Sequence, residues 1–83
     1  MKTIIIEVHL PADGGKYDIR VPGSMNSLLA AHLTADALAN LSDGNYRSSR
    51  SSIFAWMDSG KLLETGKSLE ELHVENGSRL LLV

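Results

Sequence analysis

Two stretches near the N-terminus alternate apolar and polar side chains, the mark of half-buried strands. From Lys2 to Leu10, the side chains of Ile4, Ile6, Val8 and Leu10 share one face, while Thr3, Glu7 and His9 share the other. From Lys16 to Val21 the alternation returns, with Tyr17, Ile19 and Val21 directed inward. Between them Pro11-Ala12-Asp13-Gly14-Gly15 reads as a turn, because glycine tolerates the positive φ that a tight reversal needs. The pattern predicts an N-terminal hairpin.

Pro22-Gly23 ends that hairpin, and Ser24 is placed to cap a helix from Met25 to about Asn40. Met25, Leu28, Leu29, Leu33 and Ala37 (or Leu38) recur at three- and four-residue spacing, which predicts one apolar stripe. Alanines at 30, 31, 35, 37 and 39 favour the helix and keep it slim. Ser42 to Ser52 has no apolar period and reads as a polar connection. Ile53 to Met57 is aromatic and β-branched, hence a strand. Asp58-Ser59-Gly60 turns into a short strand at Lys61 to Glu64, and Ser68-Leu69-Glu70-Glu71 fits a capping box over one helical turn. Asn76-Gly77 marks a turn before a last strand, Arg79 to Val83. The order is ββαββ, a short helical turn, then β. Ile4-Ile5-Ile6 and Leu80-Leu81-Leu82-Val83 are apolar without a break, as strands in the middle of a covered sheet are. Pairing the first and last strands in parallel, with the helix across one face, gives an α+β fold of β-grasp type with a mixed sheet.

At 83 residues the chain is one domain, residues 1–83. It has no cysteine, which removes disulfides, thiolate zinc sites and thiol nucleophiles together. A net charge of −2 leaves no basic footprint for nucleic acid. No run approaches the ~18 apolar residues of a membrane span, so direct membrane insertion is not expected. These features point to a soluble, cytoplasmic domain. His9, His32 and His73 have no metal-ligand spacing, and neither Asp36 nor the Glu70-Glu71 pair is forced into an acid–base arrangement. Gly14-Gly15 joins strands and opens no helix, so it is no phosphate loop. Arg47 to Ser52 carries two arginines and reads as a solvated spacer. No cofactor, no metal and no enzymatic activity are expected.

Gly60 to Val83 is similar, without a gap, to the C-terminal third of ubiquitin. Gly60, Lys61, Leu63, Glu64, Gly66, Leu69, Ser78, Leu80, Leu82 and Val83 match, and Lys67, Ser68, Glu71 and Val74 are close replacements. Asn76, Gly77, Ser78, Arg79 and Leu80, with the alternating first strand, the hairpin and the V-P-G-S-M-N segment, resemble the YukD-like ubiquitin-fold proteins of bacterial type VII secretion. Arg47, Arg50 and serines stand where ubiquitin folds commonly have prolines, and Leu81 stands where a polar side chain is usual. The resemblance implies a non-conjugating interaction module, an accessory component of such a secretion system with protein partners in its machinery. The alternative is a ubiquitin-like modifier or sulfur carrier of the ThiS/MoaD kind. The diglycine tail that such chemistry uses does not follow Val83, which disfavours it. Lys61 stands at a chain-linkage lysine of ubiquitin and reads here as a solvated turn residue.

If Leu80 and Leu82 enter the core, Leu81 and Val83 point away from the helix, because successive strand side chains alternate. By the same rule Phe54 and Trp56 point inward, and Ile53, Ala55 and Met57 outward. Ile5, Met57, Leu81 and Val83 are therefore expected on one open sheet face, as the partner-binding residues. In ubiquitin the positions matching Met57, Leu81 and Val83 form the main binding surface. A patch of about 300 Å2 at ~25 cal/mol per Å2 yields roughly 7 kcal/mol, against association costs of ~4–15 kcal/mol. Such a face suits one contact within a larger assembly, or a homodimer through Leu81 and Val83.

Overall fold

The computed structural model describes residues 2–11, 14–41 and 52–83. The spacer readings at Ser42 to Ser51, and the Ala12-Asp13 part of the first turn, lie outside the described residues. The chain runs β1 (Thr3–Leu10), β2 (Gly15–Pro22), α1 (Ser27–Leu41), β3 (Phe54–Trp56) and β4 (Arg79–Leu82). The four strands form one mixed sheet in the order β2-β1-β4-β3. β1 and β2 form the antiparallel hairpin, with Ile6 opposite Ile19. β1 and β4 pair in parallel, Val8 opposite Leu80, and β3 and β4 pair antiparallel, Phe54 opposite Leu82. The β-grasp order expected from the apolar runs is the one observed.

The core lies between the inner sheet face and α1. Ile4, Ile6, Val8 and Leu10 of β1, Phe54 of β3, and Leu80 and Leu82 of β4 are all buried, each on the alternating inward phase. Leu63, Leu69 and Val74 close it from the segment between β3 and β4.

The helix differs from expectation in its start and its face. Asn26, not Ser24, is the cap: its Oδ1 accepts from the backbone N–H of Leu28 at 2.9 Å and of Leu29 at 3.2 Å. Its Nδ2 also donates to the Thr65 carbonyl at 2.9 Å, which ties the helix start to the distant turn. The buried face carries Ser27, Ala30, Ala31, Thr34, Ala35 and Leu38, whereas Leu29 and Leu33 are 50% and 49% exposed. The sheet already supplies bulky side chains, so the helix meets it mostly with small ones, Leu38 being the exception. Of the predicted stripe, Leu38 is buried in that seat, whereas Leu29 and Leu33 flank it.

The segment after β3 is more irregular than the sequence suggests. Lys61 to Glu64 makes only a single bridge, Leu62 with Ala55. The capping box is present: the Ser68 N–H donates to Glu71 Oε1 at 2.9 Å, and the Glu71 N–H to Ser68 Oγ at 3.1 Å. It opens a single helical turn, in which the Leu72 N–H reaches the Ser68 carbonyl at 3.2 Å and the His73 N–H the Glu70 carbonyl at 3.0 Å. Asn76-Gly77 forms a tight turn closed by the Ser78 N–H on the Glu75 carbonyl at 3.0 Å, with Gly77 at φ 89°. Ser52, read as part of the spacer, is buried.

Candidate functional site

The sheet face opposite α1 is the surface that could bind a partner. Register fixes its rows. Across the middle run Lys16, His9, Leu81 and Ala55, and the bridge at Ala55 extends that row to Leu62. The neighbouring row runs Asp18, Glu7 and Arg79, and reaches Met57 through its N–H on the Arg79 carbonyl at 3.3 Å. On the other side Val83 and Ile53 exchange both backbone hydrogen bonds, at 2.9 and 3.0 Å.

Met57, Leu81 and Val83 thus lie together at the β3–β4 side. Met57 is 36% and Val83 52% exposed, while Leu81 is half-buried between its strand neighbours. Ala55 shares their phase but is buried, because its short side chain sits between Leu81 and the bridging Leu62. Ile5 has the same outward phase and is 40% exposed, yet the structure does not bring it to the other three. Its carbonyl accepts from the Gly77 N–H at 2.7 Å and its N–H donates to Asn76 Oδ1 at 2.8 Å, at the far corner. Glu7 and Arg79 stand between it and Leu81.

Leu62 was not anticipated at this surface and is 55% exposed on it. Its neighbour Leu63 is 3% exposed, so the Leu62-Leu63 pair splits between face and core. Strand alternation contained that signal, but only the pairing of Leu62 with Ala55 decides which leucine turns outward.

Charged groups line the apolar cluster. His9 Nε2 and Glu7 Oε2 lie 2.6 Å apart. That hydrogen bond, and then the electrostatic attraction of His9, Lys16 and Arg79, hold the Glu7 carboxyl below its usual range. Arg79 also approaches Asp58 at 3.9 Å. The arrangement is a greasy centre with a polar rim, the usual anatomy of a protein-binding patch. Among the described residues, no group of three or more His, Asp or Glu side chains could hold a metal ion.

A mixed sheet with parallel outer chain segments at its centre, one helix on the inner face and an open outer face defines a ubiquitin-like β-grasp domain. No family model matches the chain, and no curated protein matches its sequence. Solved structures do match its fold over the whole length. The EccD5 ubiquitin-like domain from Mycobacterium xenopi is similar with a TM-score of 0.80 at 13% identity, covering 100% of this chain and 94% of that one. The ubiquitin-like domain of the Mycobacterium tuberculosis type VII secretion system protein ECCD1 is similar with a TM-score of 0.76 at 18% identity, covering 100% and 99%. A chain of the MycP5-free ESX-5 inner membrane complex is similar with a TM-score of 0.80 at 15% identity; this protein spans 21% of its length. Among the described residues, no helix is long and apolar enough to cross a membrane.

Proposed function

We propose that this chain is a non-conjugating ubiquitin-like interaction module, an accessory component of a bacterial type VII secretion system. It acts on the cytoplasmic side and binds a protein of the secretion machinery through the outer sheet face. Met57, Leu81 and Val83 form the contact with Leu62 beside them, and Ile5 makes a separate contact at the far corner. The observation that carries the reading is the apolar cluster at the β3–β4 side, on the face the helix leaves open. The end-to-end likeness to ubiquitin-like domains of mycobacterial secretion proteins supports the pathway. The domain carries no chemistry of its own and works by holding a partner in place.

The test is affinity capture from detergent extracts of cells that contain a type VII secretion system, with captured proteins identified by mass spectrometry. The unmodified protein should retain a secretion-machinery component, and the Met57→Asp/Leu81→Asp variant should lose it with its circular dichroism unchanged. Both side chains lie on the outer face away from the core, Met57 exposed and Leu81 half-buried, and the unchanged circular dichroism separates loss of capture from loss of fold. Undiminished capture by the double variant would rule out this face.

A further inference from the structure

The two margins of the sheet are built differently. β3 is three residues long and is covered: the Leu63 N–H donates to the Phe54 carbonyl at 3.0 Å, and the Trp56 N–H to the Lys61 carbonyl at 2.9 Å. β2 is eight residues long, and among the described residues no strand pairs with its outer side. The Gly23 N–H donates to the Lys2 carbonyl at 2.9 Å, which sets the phase of the β1–β2 ladder. Bonded pairs alternate along an antiparallel ladder, so Ile19 and Val21 turn their backbone groups to β1. Lys16, Asp18 and Arg20 turn theirs outward, while the Pro22 carbonyl accepts from the Met25 N–H at 3.1 Å.

Open edges of this length are usually blunted by charged side chains, inward-pointing charges or proline, and β2 has its charges of mixed sign on the outer face and its one proline, Pro22, at its last position. Here the inward positions are Tyr17, Ile19 and Val21, and none is charged. An apolar groove of about 210 Å3 runs beside them, bounded by Ile19, Val21, Met25, Leu33, Thr34 and Ala37. Thr34 is 2% exposed and its hydroxyl has no hydrogen-bond partner. Leu33 and, one turn earlier, Leu29 stand half-exposed on the helix flank.

The outward side chains of β2 alternate in sign: Lys16, Asp18, Arg20. That order complements itself about Ile19, and about Tyr17 only over a shorter stretch. Two copies of the strand run antiparallel about Ile19 place Asp18 of each opposite Arg20 of the other. Ile19 then faces Ile19, Tyr17 faces Val21, and Lys16 faces Pro22. Asp18 and Arg20 fall at bonded positions, as their outward backbone groups require, and Ile19 at a non-bonded one. A register centred on Asp18 sets Asp18 against Asp18 and Lys16 against Arg20. One centred on Tyr17 gives up the Arg20 to Pro22 part of the strand.

We infer that a second copy of this chain docks on the free edge of β2, antiparallel about Ile19, to make one continuous sheet through two copies. Cross-strand Asp18–Arg20 pairs fix the register, and the Leu29–Leu33–Ala37 stripes flank the seam on the helix side. This surface is separate from the outer-face contact, and neither depends on the other.

Sedimentation velocity of the full chain across the micromolar range should show a concentration-dependent dimer. Asp18→Arg and Arg20→Asp should each leave only monomer, because each sets like charges opposite one another twice. The combined D18R/R20D variant should restore the dimer. The chain has no cysteine, so Ile19→Cys gives one thiol per copy. Directly opposed non-bonded residues lie about 4.5 Å apart at Cα, within disulfide reach. Mild oxidation should therefore cross-link Ile19→Cys and leave Leu81→Cys monomeric. A chain monomeric throughout, a D18R/R20D variant that stays monomeric, or cross-linking through Leu81→Cys instead would overturn the inference.

Discussion

His73 is the one non-glycine residue with positive φ among the described residues, at 64°. It closes the turn that the Ser68–Glu71 box opens: the Val74 N–H reaches back to the Leu69 carbonyl at 2.9 Å, and the His73 N–H to Glu70 at 3.0 Å. A left-handed residue bearing a Cβ costs about 1–2 kcal/mol, and glycine there gives back about 0.5–1 kcal/mol through its looser unfolded state. His73→Gly should therefore raise stability by about 0.5–1 kcal/mol, read from the urea midpoint at constant slope. The side chain is exposed, so little packing is lost. The capping box was legible because it is a pattern of side chains. The left-handed closure was not, since histidine signals a positive φ far more weakly than glycine does. Asn26 was missed for a related reason: Ser24 is an equally good cap by type, and only the reach of Asn26 to Thr65 decides between them.

At the scale of the element, strands were easier to read than the helix. A strand has two faces, so Ile4, Ile6, Val8 and Leu10 settle the inward phase of β1 as soon as they are seen. A helix can rotate continuously, and in α1 both flanks offer apolar residues. Hydrophobicity favours Leu29 and Leu33, yet the crowded sheet selects Ala30, Ala31, Ala35 and Leu38. Two truncations separate these readings. Leu38→Ala should cost about 2–4 kcal/mol, since the side chain is 1% exposed and leaves a cavity. Leu33→Ala, at 49% exposure, should stay within about 0.5 kcal/mol. Chemical denaturation of both variants checks the order, and a reversal would mean that the helix presents its leucines to the sheet.

Across the whole molecule, parity alone placed Met57, Leu81 and Val83 on the outer face, but it could not show adjacency. Ile5 shares the face and is cut off by Glu7 and Arg79, while Leu62 joins through a bridge that no local pattern announces. Two carboxyls, Glu7 on this face and Glu71 in the capping box, give the molecule a pH response. Glu7 is held down chiefly by its hydrogen bond to His9, and Glu71 by its hydrogen bonds to Ser68. A carboxyl depressed in the folded state lends stability above its unfolded value, near 4.5, and loses it as pH falls through the lower folded value. Stability should therefore decline on acidification below pH 4.5, and the Glu7→Gln/Glu71→Gln variant should decline less. Urea midpoints taken between pH 7 and about pH 3 test this, and parallel curves would refute it. The strap from Lys61 to Leu63 has a further effect: with β3 sheathed, the sheet can be lengthened from one border only. Strand addition therefore stops after a single event, and the architecture that invites a companion also forbids a fibre.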